Sequence, residues 1–152
     1  MLIVLFGESC TGKSTLADKI KERITSEVLA GKDYLRLAKS PDLAKALFKK
    51  KLLESVSGDN MIYVIAEKEH LELIPEGAVR ILVTADIETI KERFAKRMRG
   101  NLPTPVAAML ERKHREFDSE LYDLHFNLNE TDLNDACNRI ALHIDSRGMT
   151  KA

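Results

Sequence analysis

The stretch "GESCTGKS", residues 7–14, constrains this chain more than any other, because it fits G-x-x-x-x-G-K-[ST] at every fixed position. It follows the apolar run LIVLF, which reads as a strand covered on both faces. From Lys13 onward Leu16, Ile20, Ile24 and Val28 recur every four residues, a helical stripe that Gly31 ends. Strand, glycine loop and helix in that order make a cradle for phosphate. Gly7 and Gly12 permit the tight turn, and the backbone N–H groups of Glu8, Ser9, Cys10, Thr11 and Gly12 can then face phosphate oxygens. Lys13 is expected to reach the β and γ phosphates, Ser14 to place its hydroxyl on Mg²⁺, and Thr15 to touch the α phosphate. Cys10 is expected to be a spacer. The alternative, a chance match in a glycine-containing turn, does not account for the flanking strand and helix.

The rest of the chain alternates in the same way. Residues 34–38 (YLRLA) read as a short second strand, and Ser40-Pro41 as a cap with proline in the first turn of a helix that carries Leu43, Leu47, Phe48 and Leu52 to Ser57-Gly58. Residues 61–66 (MIYVIA) and 79–84 (VRILVT) are strand candidates. Ile87, Ile90, Phe94 and Met98 form the next helical stripe, broken by GNLPTP at residues 100–105. Thr104-Pro105 starts a helix through Val106, Met109, Leu110, Lys113 and Phe117. LHFNL (124–128) reads as a fifth strand, and Leu133, Ala136, Cys137, Ile140 and Ile144 as a closing helix with Cys137 in the core. A frayed tail is expected after Ser146. Such alternation predicts an α/β fold, a parallel sheet with helices on both faces. With no repeat or linker, all 152 residues read as one domain.

Charge narrows the partners. Twenty-four basic residues balance twenty-four acidic ones, so no global excess points to nucleic acid or an anionic membrane. Cys10 and Cys137 have no metal-ligand spacing with each other or with the four histidines, and they are expected to be reduced thiols in a cytoplasmic protein. The apolar start is too short for a membrane span.

The loop leaves several classes of nucleotide protein open, and other motifs sort them. No N-K-x-D or T-K-x-D base-reading motif occurs, and the single D-x-x-G (residues 145–148) falls after the last helix. A kinase needs the loop, a metal carboxylate, and cations over the transferred group. Arg93 and Arg97 stand four apart on one helix face, about 60–100° round from its apolar stripe. Their expected role is to stabilise phosphoryl charge; the alternative is a solvated basic face with Lys91, Lys96 and Arg99. Glu67, at the end of the strand candidate at 61–66, is expected to support Mg²⁺ through water, with Glu69 its competitor. The loop at 100–105 is either a short lid or a plain helix–helix turn.

These residues resemble the P-loop nucleoside-monophosphate kinase superfamily. The second half looks most like guanylate kinase, on ADIETIKERFAKRMRG with its R-x-x-x-R and on REFDSELYDLHFN followed by ETDLNDACNRI. The resemblance implies a P-loop NTPase fold with a five-stranded parallel sheet in the order 2-3-1-4-5, and it puts Asn127 near the adenine of ATP. Residues 31–66 depart from that family, whose β-rich acceptor insertion is replaced by a short, mostly helical stretch, leaving a reduced acceptor-binding segment at about 31–58. There Asp33, Tyr34 and Arg36 are the acceptor-site candidates: Arg36 on an acceptor phosphate or merely at the surface, Tyr34 stacking or packing, Asp33 a base if the acceptor is a hydroxyl. The expected activity is transfer of the γ-phosphoryl group of Mg-ATP to a small acceptor, a nucleoside monophosphate first. Two alternatives stand beside it, a shikimate-kinase-like hydroxyl kinase and a nucleotide-binding module without transfer. The expected partner is a small molecule, with no nucleic acid or membrane, on a monomer or homodimer.

Overall fold

The structure, a computed structural model, describes residues 1–146, so the expected frayed tail lies outside the described residues. Strands β1 (Leu2–Phe6), β2 (Glu27–Ala30), β3 (Met61–Ile65), β4 (Val79–Thr84) and β5 (Leu124–Asn127) form one sheet in the order β2-β3-β1-β4-β5, as the resemblance implies. Every pairing is parallel, with Leu2 opposite Met61, Ile3 opposite Val79, Glu27 opposite Met61 and Ile81 opposite Leu124.

Helices cover both faces. All five β1 residues are buried, and their alternation divides the core. Ile3 and Leu5 face α1 (Lys13–Arg23) and α5 (Leu133–Ser146) through Leu16, Ile20, Cys137 and Ile140. Leu2, Val4 and Phe6 face α2 (Pro41–Ser57) through Phe48 and Leu52. A smaller cluster lies beneath the loop, where Cys10 meets Ala85, Ile90 of α3 (Ile87–Arg97) and Leu110 of α4 (Thr104–Lys113).

Four sequence expectations are corrected. The first helix ends at Arg23, and Val28 lies in β2. Ile24 and Val28 do pack against the core as their spacing suggests, but the β-branched Ile24-Thr25 and the following Ser26 are weak helix formers. The second strand is therefore Glu27–Ala30, not residues 34–38. That later stretch belongs to a 3-10 turn, Gly31–Leu37, whose entry is fixed by the Ala30 N–H donating to Asp33 Oδ2 at 2.8 Å. In α2 the buried line runs through Ala44, Phe48 and Leu52, whereas Leu43 and Leu47 face outward. The helix expected to continue to Phe117 stops at Lys113, because Arg115 adopts a left-handed φ of 66°. Phe117 is nevertheless buried, 5.9 Å ring to ring from Phe6.

Candidate active site

Residues 7–14 connect the carboxyl end of β1 to α1 at the point where chain connections leave toward β3 on one side and β4 on the other. Parallel α/β sheets place ligands at such a switch point. The Gly7 N–H donates to Ile65 O at 3.1 Å and anchors the loop to β3. A Cβ at Gly7 would stand 2.1 Å from Val83 O, so the loop lies directly on β4. Gly12 has φ 99° and Cys10 has φ 65°, left-handed conformations that let the loop turn tightly.

Lys13 crosses this turn. Its Nζ donates to the Glu8 carbonyl and, at 3.3 Å, to Thr11 Oγ1, while the Thr11 hydroxyl donates to Glu8 O at 3.0 Å. Lys13 is 5 % exposed. Burial lowers its pKa from 10.5 to about 8, and the Arg97 guanidinium acts in the same direction against the pull of Cys10 and Glu8. A buried cation short of negative charge at the first turn of a helix is suited to an anion.

Two hollows flank the loop. One, of about 670 Å³, is lined by Gly12, Thr15, Lys19, Arg93, Leu128 and Thr131 among others. The second, of about 470 Å³, is lined by Lys13, Ser14, Asp33, Glu67 and His70 among others. Thr15 and Arg97 line both. Arg93 has a different task, because its Nη1 donates to Cys10 O at 3.0 Å and braces the loop from α3. The sequence pair thus divides into a brace and a cation that has neither a hydrogen bond nor an ion-pair partner among the described residues. Of the two carboxylates proposed for the metal, Glu67 lines the second hollow with Ser14, and Lys113 Nζ lies 3.7 Å from it. Glu69 is 71 % exposed beside His70 and lines neither.

The acceptor candidates separate. Asp33 lines the second hollow, its two oxygens accepting from the Ala30 N–H and, at 3.2 Å, from Arg36. Arg36 is 82 % exposed and lines neither hollow, held outward by that ion pair. Tyr34 packs on Phe48 at 5.8 Å and lines a smaller neighbouring hollow instead. Asn127 does not line the hollow beside Gly12; its Oδ1 accepts from the Asn129 N–H at 2.9 Å and it faces Glu8 and His114 across another cavity. Leu128, one residue later, takes the place beside Gly12, its Cδ1 2.9 Å from where a Cβ would sit.

Sequence reasoning missed three features. Lys32 and His70 line the second hollow, and no motif marks either. Glu8, at a variable position of the loop pattern, has its carboxylate held by the Arg115 N–H and by His114 Nδ1 at 3.0 Å. That link joins residues more than a hundred apart, and no local signal reveals it.

No protein-family model and no curated protein matches the sequence. Solved structures do match in fold. YorR from Bacillus subtilis, in complex with phosphorylated GDP, is 19 % identical with all of both chains covered and a TM-score of 0.68. Shikimate kinase from Acinetobacter baumannii, in complex with shikimate, is 15 % identical over 98 % of this chain and 95 % of that one, at TM-score 0.67. A gluconokinase from Sinorhizobium meliloti 1021 is 15 % identical over 95 % of each chain, at TM-score 0.60. With a GxxxxGKS loop at the end of its central strand and a parallel sheet ordered 2-3-1-4-5, the chain has the α/β fold that these proteins share.

Proposed function

We propose that this protein is a kinase that moves the γ-phosphoryl group of Mg-ATP to a hydroxyl of a small acceptor. The observation that carries the reading is the pair of hollows meeting at the loop, with Arg97 on both, Lys13 on the second, and a carboxylate, Asp33, rather than Arg36 on that same acceptor side. Bound Mg-ATP supplies the phosphoryl group and its activating charge. The residues fit it: an undercompensated buried cation, the first turn of α1, the Ser14 hydroxyl, and the Glu67 carboxylate lining the same hollow. Lys13 and Arg97 offset charge on the transferring group, and Arg93 keeps the loop in shape. Ser14 and Glu67 would hold the metal. Asp33 takes the acceptor's hydroxyl proton as the oxygen attacks.

Two of the solved structures sharing this fold are named as kinases for shikimate and gluconate rather than for nucleotides. The second reading is a nucleoside-monophosphate acceptor, guanylate-kinase-like, favoured by Lys32 and Arg97 as cations for an acceptor phosphate and by full-length similarity to a structure holding phosphorylated GDP. A nucleotide-binding module without transfer is the third.

ADP production from Mg-ATP, measured with hydroxyl compounds and nucleoside monophosphates beside a Lys13→Ala control, decides among them. Stimulation by a hydroxyl compound, reduced roughly a hundredfold or more by Asp33→Asn, is expected. Stimulation by a monophosphate alone moves the assignment to the second reading, and bound ATP without stimulation moves it to the third.

A further inference from the structure

His70 is a buried polar residue to which phosphoryl transfer gives no role. It sits in the 3-10 turn Lys68–Leu73 just after β3, where its N–H closes on Glu67 O at 3.1 Å. The residue is 4 % exposed, and its ring stands edge-on to Tyr34, 6.1 Å away at 75°. Nδ1 is fully buried with no hydrogen-bond partner. Buried polar atoms rarely stay unpaired without a functional reason.

The neighbours of the ring say what is missing. Its Cε1 and Nδ1 lie 3.6 and 3.7 Å from where a Cβ on residue 31 would be, and that residue is glycine. Gly31 and His70 both line the acceptor-side hollow, and glycine at position 31 puts no side chain over this ring edge; Nδ1 itself is covered in this structure, so a ligand meets it only as the ring or the Gly31 backbone gives way. On the other edge Nε2 lies 3.8 Å from Glu69 Oε1, so a proton on Nε2 has an acceptor side to face. In that tautomer Nδ1 carries a lone pair, and its complement is a donor. Asp33, a second acceptor of hydrogen bonds, lines the same hollow.

The geometry points to His70 as a specificity residue of the acceptor site: Nδ1 accepts a hydrogen bond from a second hydroxyl of a small polyhydroxylated acceptor whose first hydroxyl faces Asp33. This rests on the hydroxyl-kinase reading. A molecule with one hydroxyl satisfies Asp33 and leaves Nδ1 unpaired, so it is the poorer substrate.

The test uses the full chain with ¹⁵N-labelled histidine, saturated with ADP and Mg²⁺. Erythritol, xylitol, myo-inositol and gluconate are titrated in, with nucleoside monophosphates as contrast, while the His70 ring nitrogens are followed by NMR. ADP production is assayed with the same compounds. A polyhydroxylated compound that stimulates turnover is expected to shift Nδ1 saturably. His70→Phe should raise its KM roughly tenfold or more with the KM for ATP little changed, and His70→Asn, which keeps an acceptor atom near the Nδ1 position, should recover most of the loss. An unchanged ADP-induced rise in Tm shows that each variant is folded.

A polyol that stimulates turnover without moving Nδ1, or with an unchanged KM in His70→Phe, overturns the role of His70 and leaves the hydroxyl-kinase reading standing. A polyol that moves Nδ1 without turnover upholds the subsite and overturns transfer. Stimulation by monophosphates alone, or no compound moving Nδ1, overturns the subsite.

Discussion

Lys13 holds its charge at some expense to the fold. The unfolded chain keeps this proton up to 10.5, the folded chain only to about 8. Charged Lys13 therefore opposes folding at every pH below 8, by on the order of 3 kcal/mol, and the penalty fades as pH rises from 8 toward 10.5. A bound anion reverses this by favouring the charged form. Nucleotide affinity should accordingly fall as pH passes above 8, and calorimetry in buffers of different ionisation heat should show proton uptake on binding there. Lys13→Met should abolish nucleotide binding yet raise the urea midpoint of the ligand-free protein at pH 7; a lowered midpoint would mean that the buried charge is compensated. Arg97 and Arg93, four residues apart, should give different phenotypes. Arg97→Ala should cut turnover roughly a thousandfold with nucleotide affinity nearly intact, as expected of a group acting on developing charge. Arg93→Ala releases the Cys10 carbonyl and should weaken nucleotide binding first. Separate Kd and kcat measurements on the two variants check the division.

At the scale of elements, the approach of the loop to β4 decides what its first position tolerates. Gly7→Ala places a methyl group 2.1 Å from Val83 O, a backbone atom that cannot move without disturbing β4. Destabilisation of about 3 kcal/mol or more is expected by chemical denaturation, larger than for a substitution in an exposed helix. The loop itself, β1, β4 and the last helix were legible in the sequence, because each carries a continuous apolar run or a clean helical period. The second strand was not. Its burial is only partial and it lies at the sheet edge, so Glu27–Ala30 has little apolar signal, while Leu35 and Leu37 in the following turn mimic alternation although both are exposed. That misplacement had a chemical consequence. A strand at residues 34–38 assigns Arg36 to the acceptor; with β2 ending at Ala30, Asp33 lines the hollow and Arg36 is its outward partner. Residues that meet only through the fold, such as Glu8 with His114 or Gly31 with His70, leave no periodicity to read.

The whole molecule joins these parts across the sheet. Lys113, His114 and Arg115, at and just beyond the end of α4, reach Glu67 after β3 and Glu8 within the loop. Lys91 of α3 pairs with Glu111 of α4, so the two helices share their hold on the loop. Ligand binding should therefore stabilise the fold as a unit. ADP with Mg²⁺ at a hundred times its Kd should add about 2.7 kcal/mol and raise Tm by roughly 5–10 °C, a shift absent from Lys13→Ala. Differential scanning fluorimetry reads both.

The central position of β1 bears on how the chain is made. Its partners begin at Met61 and Val79, so LIVLF leaves the ribosome long before either can pair with it. At ordinary translation speeds the wait is on the order of ten seconds, during which an uncharged, strand-prone pentapeptide has two open edges. The segment that anchors the finished sheet is thus an aggregation hazard for the nascent chain, and a ribosome stalled before β4 would display it to every neighbouring copy.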